Sequence, residues 1–344
     1  MNYREDVKKA DETRRLYADG LEELIRKKQN EAAEKRKEYS KKIFESPEAC
    51  RADLRKMLGW PLSDCDAEGL PAAEKTELSK EDGYTVFRIR FEILDGLIMT
   101  GLYFERDGEG KKPLVLVQHG GWGTPELISG IYGATQNYNG MLERVLQYGV
   151  HAFAPQLLLW EKSSEVPCNR KSVDERLKRV GGSITAVELY GLMRILDWFT
   201  AEGKTSSFGM LGLSYGGFYT LFMAALDTRI KASVSCSYFN TRDRYPWSDW
   251  MWFGQAEKFD DAEIACLIYP RKLCIALGTR DDLFDYESGK AAYETLLSIS
   301  KGVGGEWLSF WGFDGTHEFP HNDTPIQELV STLFHCESTM NKGE

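Results

Sequence analysis

The sequence predicts an α/β fold with a mainly parallel central sheet and helices on both of its faces. Three features support this prediction. From residue 114 onward, short apolar runs alternate repeatedly with helix-like segments. A segment of alternating apolar and charged residues at 84–93 and a second strand-like segment at 97–104 precede them, and a glycine-rich hexapeptide at 212–217 separates an apolar run from a helix-like run. Repeated alternation of strand and helix builds a parallel sheet that is covered on both faces.

The first part of the chain, residues 1–80, is expected to form an N-terminal helical extension and a connector. Residues 1 to about 58 are rich in Lys, Arg, Glu and Ala and contain almost no Gly, as in surface helices. Their short apolar stripe consists of Leu16, Leu21, Leu24 and Ile25. A polar stretch punctuated by Pro and Gly then runs to about Asp82. Residues 81–344 are expected to form the main domain.

The main domain begins with a predicted hairpin, in which Asp95-Gly96 joins strands at 84–93 and 97–104. A loop is predicted from residue 156 to about 182, and a lid-like insertion near 238–270. The later predicted strands lie at 114–118, 150–154, 208–211, 232–236, 273–277 and 307–311. The predicted helices lie at 141–148, 184–200, 218–226, 289–300 and 324–334.

The hexapeptide Gly212-Leu213-Ser214-Tyr215-Gly216-Gly217 predicts a nucleophile elbow. In such an elbow the serine occupies a strained turn between a strand and a helix, and its hydroxyl projects above the sheet. Gly212 and Gly216 are expected because the two backbones pass too close for a Cβ atom at these positions.

A serine hydroxyl needs a neighbouring base to become a nucleophile, and the base needs an acid that orients it. If both the base and the acid follow the serine along the chain, three histidines are candidates for the base: His317, His321 and His335. His335 is excluded because it belongs to the last predicted helix, which leaves His317 and His321. His317 is the predicted base, because it follows the strand at 307–311 at the sheet edge where open α/β folds bind ligands. His321 is predicted to be a surface histidine.

Three carboxylates follow the predicted strand at 273–277: Asp281, Asp282 and Asp285. Asp281 is the favoured acid because it comes three residues after Gly278, at the top of the strand. Asp282 and Asp285 remain alternatives. The acid would accept a hydrogen bond from the histidine, fix its tautomer and stabilise the imidazolium.

Acyl chemistry also needs backbone donors for a developing oxyanion. The N–H of Tyr215, directly after the serine, is one predicted donor. The loop His119-Gly120-Gly121-Trp122-Gly123 follows the strand at 114–118 and supplies the second. Gly121 is the favoured donor and Trp122 the alternative. His119 is predicted to brace the loop.

Together these segments resemble the α/β-hydrolase superfamily, and within it bacterial esterases similar to dienelactone hydrolases and acetyl xylan esterases. The resemblance runs from about residue 80 to the end and includes Gly315-Thr316-His317-Glu318-Phe319. It implies a serine esterase of small acyl groups, without a cofactor or metal, whose triad is Ser214, Asp281 and His317. The cysteine nucleophile of dienelactone hydrolases is absent. Because dimers are common among such enzymes, a homodimer is expected.

The composition excludes several other classes. A formal net charge of -10 argues against a nucleic-acid partner. Seven scattered cysteines, with no C-x-x-C pair, argue against a disulfide framework and a zinc ribbon. The charged N-terminus carries no apolar signal region, and no apolar run is long enough for a membrane span. A cytoplasmic protein is therefore expected. Short acyl esters of imported oligosaccharides or of small metabolites are expected as substrates in place of an extracellular polysaccharide.

Aromatic side chains near the predicted site are candidates for the substrate pocket. Trp160, Tyr238 and Trp247 are the favoured ones, and Trp122, Tyr132 and Tyr215 are further candidates. Arg242 and Arg244 are candidates for holding a carboxylate. Two other functions remain open: a peptidase or amidase with the same triad, and a non-catalytic scaffold that keeps the hydrolase fold.

Overall fold

A computed structural model describes residues 1–64, 68–160, 165–166 and 169–340, with side chains up to residue 336. The strands are β1 (Ala72–Glu81), β2 (Tyr84–Leu94), β3 (Leu97–Arg106), β4 (Lys112–Gln118), β5 (His151–Pro155), β6 (Thr205–Leu213), β7 (Ile230–Cys236), β8 (Lys272–Gly278) and β9 (Leu308–Phe313). The helices are α1 (Val7–Ser40), α2 (Pro47–Leu58), α3 (Pro125–Ile128), α4 (Met141–Leu146), α5 (Arg170–Lys178), α6 (Ile184–Glu202), α7 (Tyr215–Leu226), α8 (Asp261–Cys266), α9 (Tyr286–Ile299) and α10 (Thr324–Met340).

The nine strands of the described residues form one sheet in the order β1-β2-β3-β5-β4-β6-β7-β8-β9. The strands β1, β2 and β3 pair antiparallel, and β3 also pairs antiparallel with β5. From β5 through β4 to β9, every pairing is parallel. The predicted α/β-hydrolase arrangement, a mainly parallel sheet after a leading hairpin, is confirmed.

Side chains of the central strands point alternately to two buried layers. Val115, Val117 and Leu211 belong to the layer that α4 and α10 cover. Leu116 and Met210 belong to the larger layer, which α6, α7 and α8 cover on the other face. Burial on both faces explains why these strands are continuous apolar runs in the sequence.

The strand β1 and the helices α3, α5 and α8 were not predicted from the sequence. The edge strand β1 lies where a connector is expected. It has no apolar pattern, because its residues are mainly polar and exposed and it joins the sheet through backbone bonds to β2. Charged residues of this kind protect an edge strand from further pairing. The helix α5 lies in the predicted loop; it buries only Asp174, so it has no apolar periodicity to detect.

The N-terminal helix α1 contacts the rest of the molecule near its C-terminal end. Lys35 forms an ion pair with Glu257 at 2.6 Å, and the Ser40 hydroxyl donates to Glu263 at 3.0 Å. The apolar stripe Leu16, Leu21, Leu24 and Ile25 is exposed. None of the described helices combines the length and apolar character needed to cross a bilayer.

Candidate active site

Ser214 occupies the turn between β6 and α7. Its backbone has φ 61° and ψ -121°, and its N–H donates to the Cys236 carbonyl at 2.9 Å. A non-glycine residue with positive φ is strained, so the surrounding structure must hold it in place. Here the hydrogen bond to β7 and the start of α7 provide that support, and the residue has the strand-turn-helix context of a nucleophile elbow.

The elbow glycines are required by close backbone approach, as the sequence predicts. A Cβ on Gly212 would overlap the backbone of Gly216, and one on Gly216 would overlap the Gln118 carbonyl at the end of β4. A Cβ on Gly217 would lie 2.7 Å from the Cys236 carbonyl oxygen. These contacts are with backbone atoms, which cannot move aside as a side chain could.

Replacing Gly216 by Ala is therefore expected to lower the free energy of unfolding by about 3 kcal/mol, through overpacking. The matched control is Gly304→Ala, because a Cβ on Gly304 would have no neighbour within 4 Å. Urea denaturation of both variants tests this expectation. Equal unfolding midpoints for the two variants would contradict the account of the elbow.

His317 and Asp281 form a directly bonded pair. The His317 Nδ1–H donates to Asp281 Oδ2 at 2.9 Å, and the Asp281 side chain is fully buried. The other carboxylate oxygen, Oδ1, accepts the N–H groups of Leu283 and Phe284, each at 2.9 Å. The Phe284 ring stacks on the imidazole, with centroids 5.6 Å apart. These contacts fix the tautomer and orientation of His317 and leave its Nε2 unbonded to the acid.

The alternative residues lie in other environments. Asp285 caps α9 by accepting the Ser288 N–H at 2.9 Å, and Asp282 is exposed. His321 is exposed, with its Nε2 3.5 Å from a carboxylate oxygen of Glu318. Among the three aspartates, only Asp281 contacts the His317 ring.

Ser214 and His317 line the same cavity of about 610 Å³. No hydrogen bond joins the Ser214 hydroxyl to another described residue. Ser214 and His317 therefore share the cavity without a preformed hydrogen bond between them. Catalytic hydrogen bonds often tighten only when substrate is bound.

The glycine-rich loop after β4 lies against the elbow. A Cβ on Gly120 would be 3.1 Å from the Ser214 Cβ, and one on Gly121 would be 3.4 Å from the Tyr215 ring. The Trp122 N–H is already used, because it donates to the Leu159 carbonyl at 2.6 Å. Of the two predicted loop donors, the Gly121 N–H is therefore the one left without a partner among the described residues. Tyr215 opens α7, so its N–H belongs to the unpaired first turn of that helix.

His119 braces this loop from the buried side. Its Nδ1–H donates to the Gly120 carbonyl at 2.9 Å, and its Nε2 accepts the Leu157 N–H at 3.2 Å. Burial lowers the pKa of His119 to about 4, although the bond to Gly120 acts in the opposite direction. The imidazole is thus neutral in the folded protein at neutral pH.

This pKa predicts acid sensitivity. Between pH 6.5 and about 4 the unfolded chain binds a proton at His119 that the folded chain does not, so stability falls as the pH drops through this window. From pH 7 to 5, we expect His119 to account for about 2 kcal/mol of lost unfolding free energy. Urea titrations of the wild type and His119→Gln at both pH values measure it. An equal loss in both proteins would contradict this role of burial.

The predicted pocket residues divide into two groups. Trp122, Trp160, Tyr215 and Trp247 line the cavity. Tyr238 does not: it is 2% exposed, and its hydroxyl donates to Asp261 at 2.7 Å. The assignment of Tyr238 to substrate binding is therefore corrected, because the residue belongs to the core beneath the insertion.

Three other candidates also lie outside the cavity. Tyr132 is 68% exposed. Arg242 forms an ion pair with Asp261 at 2.9 Å, and Arg244 forms one with Asp285 at 2.8 Å. The structure thus gives both arginines a carboxylate of the protein itself as partner.

One charged residue of the cavity wall, Arg170, was missed by sequence reasoning. Its Nε donates to Asp249 at 2.6 Å, its Nη1 to Glu188 at 2.9 Å, and its Nη2 to the Tyr219 hydroxyl at 2.5 Å. Asp249 also accepts the Tyr215 hydroxyl at 3.0 Å, so this buried network links the insertion to the elbow. Arg170 lies in a segment predicted as a loop, where nothing distinguishes it from a surface arginine.

Metal-binding groups do not converge here. Across the described ranges, no group of three or more His, Cys, Asp or Glu side chains could hold a metal ion.

The chain is similar to several known proteins, although no family model matches it. It is 26% identical over 273 residues to "Putative hydrolase YtaP" of Bacillus subtilis, which covers 74% of this chain and 89% of that protein. A structure described as "a putative acetyl xylan esterase" from Bacteroides fragilis superposes with a TM-score of 0.64 at 16% identity, covering 85% of this chain and 83% of the other. A glucuronoyl esterase from Solibacter usitatus gives 0.61 at 12%, covering 83% and 91%. The structural likenesses show a shared fold.

Proposed function

We propose that this protein, which has the α/β-hydrolase fold, is a serine esterase that hydrolyses carboxylic esters through an acyl-enzyme at Ser214. One observation carries the proposal: His317, which is bonded to the buried Asp281, lines the same cavity as the strained serine of the elbow. The names of the similar proteins, a hydrolase and two esterases, support the same class of reaction.

The proposed reaction begins when the Ser214 hydroxyl attacks the ester carbonyl and His317 Nε2 takes its proton. Asp281 accepts the Nδ1–H and stabilises the imidazolium, while two backbone N–H groups bond to its other carboxylate oxygen and hold the side chain in place. His317 then gives the proton to the leaving alcohol. A water molecule, activated by the same histidine, releases the acyl group and restores the serine.

The carbonyl oxygen gains negative charge when the serine attacks. The N–H of Gly121 and the N–H of Tyr215 are the proposed donors to this oxyanion, since neither is bonded to another described residue. A Cβ on Gly121 would lie 3.4 Å from the Tyr215 ring, so the glycine-rich loop lies against the first residue of α7.

Short acyl esters of a carbohydrate or another small metabolite are the proposed substrates. The cavity of about 610 Å³ has room for such a molecule, and Trp122, Trp160 and Trp247 give it broad aromatic walls. Acetyl xylan is the substrate named for one of the structurally similar proteins, which agrees with a small acyl group on a sugar.

A panel of p-nitrophenyl esters, from acetyl to octanoyl, and aminoacyl p-nitroanilides tests the reaction class. We expect kcat/KM to be highest for the shortest esters. For the anilides, kcat/KM should be lower by at least about 100-fold. Anilides cleaved as fast as esters would instead identify an amidase or peptidase. No cleavage of either series would favour a non-catalytic scaffold.

A further inference from the structure

Among the described residues, the Tyr138 hydroxyl makes one hydrogen bond, and in it the oxygen is the acceptor. Tyr138 ends the short 3₁₀ turn Gln136–Tyr138 and is 3% exposed. Its oxygen accepts the N–H of Gly120 at 2.9 Å. Among the described residues the hydroxyl proton has no acceptor, while the residue lines the cavity that holds Ser214 and His317. A buried donor without a partner costs free energy unless a ligand or water meets it.

The position of this hydroxyl is close to the reacting centre. A Cβ on Gly120 would lie 3.1 Å from the Ser214 Cβ and 3.4 Å from the Tyr138 hydroxyl oxygen. The same oxygen lies against Gly123, where a Cβ would overlap it. The Ser214 Cβ and the Tyr138 hydroxyl thus both lie beside the Cβ position of Gly120, and both residues line the cavity in which the ester carbonyl would bind.

The turn that carries Tyr138 is also fixed to the histidine loop. The side-chain amide of Asn137 donates to the His317 carbonyl at 3.0 Å, and the Phe319 N–H donates to the Asn137 carbonyl at 2.8 Å. Tyr138 is thus held between the two loops that carry the proposed oxyanion donor and the proposed base. Its hydroxyl position is set by both.

We propose that the Tyr138 hydroxyl donates a third hydrogen bond to the carbonyl oxygen of the bound ester as that oxygen becomes negatively charged. The inference rests on the proposed esterase function and adds a side-chain donor to the backbone donors. No proton is transferred: the hydroxyl keeps its proton and shares it with the oxyanion.

Two properties of the hydroxyl suit this role. Because it accepts the Gly120 N–H, its own O–H is polarised and becomes a stronger donor. Burial raises the pKa of Tyr138 to about 12, against the opposing effect of the Gly120 bond, so the phenol keeps its proton throughout the pH range of esterase assays. A donor must be protonated to act, and this one is.

Replacement of Tyr138 by Phe removes the donor and keeps the ring. Loss of one oxyanion donor costs about 100-fold in kcat, and we expect this loss with KM for p-nitrophenyl acetate changed by less than about threefold. Tyr132→Phe is the matched control, since Tyr132 is exposed and outside the cavity; its kcat should equal that of the wild type.

A second variant separates donation to substrate from support of the loop. Incorporation of 3,5-difluorotyrosine at position 138 keeps the acceptor for Gly120 but lowers the phenol pKa. A donor loses its function on ionisation, so kcat should acquire a new alkaline limb that is absent from the wild type. A residue that only supports the loop would give no such limb, because a phenolate still accepts the Gly120 N–H.

The outcomes are distinguishable. A wild type that cleaves esters, together with a Tyr138→Phe variant within threefold of it or a fluorotyrosine variant without the alkaline limb, would overturn the role of Tyr138 and leave the esterase proposal standing. A wild type that cleaves no ester would overturn both.

Discussion

Replacing Ser214 by Ala is expected to lower kcat for p-nitrophenyl acetate by about 10⁶-fold, because the acyl-enzyme can no longer form. The residual rate would come from binding and from the oxyanion donors alone. The Ser214 hydroxyl makes no hydrogen bond to another described residue, so its removal leaves no buried partner unsatisfied. The variant should therefore fold normally, which circular dichroism and thermal unfolding can verify.

The matched control for this variant is Ser298→Ala, at an exposed position in α9. It should retain full activity. Retention of more than about one hundredth of wild-type activity by Ser214→Ala, in protein free of contaminating esterase, would contradict the assignment of the nucleophile.

The second large effect is expected for Asp281→Asn, with kcat lowered by about 10⁴-fold. The amide keeps the shape of the carboxylate but carries no charge, so it cannot stabilise the imidazolium. Oδ1 accepts two backbone N–H groups, so the amide oxygen is expected to take that position and to turn its NH₂ group toward His317 Nδ1. The imidazole would then be held in the opposite tautomer, with its proton on Nε2, where it cannot act as a base.

Asp282→Asn and Asp285→Asn are matched controls for this change. Asp282 is exposed, and Asp285 caps α9, a role that Asn fulfils nearly as well. Both should keep kcat within about threefold of the wild type. A large loss of kcat in either control, together with an active Asp281→Asn variant, would identify that control residue as the acid that orients His317.

Much of the fold was predictable because its parallel strands are buried on both faces. The run at 114–118 has no exposed position to carry a polar residue, and its apolar character marks a central strand. The elbow was predictable for a related reason. A Cβ on Gly212 or Gly216 would overlap backbone atoms, so both positions require glycine, and these glycines are visible in the sequence.

Other features leave no such mark. The strand β1 is held by backbone bonds and α5 by a side-chain cap at Asn169, so neither needs an apolar pattern. Tyr238 stands beside aromatic residues in the sequence, but only the folded insertion reveals that its hydroxyl is bonded to Asp261. Arg170 and Tyr138 reach the cavity from segments distant from the catalytic motifs, and their positions depend on tertiary contacts.

Labelling with a fluorophosphonate tests the central claim most directly. The probe reacts with an activated serine, and peptide mapping by mass spectrometry locates the adduct. The account predicts one adduct on the wild-type protein, on the peptide that contains Ser214, and none on Ser214→Ala. An unlabelled wild type, or equal labelling of the Ser214→Ala variant, would contradict it.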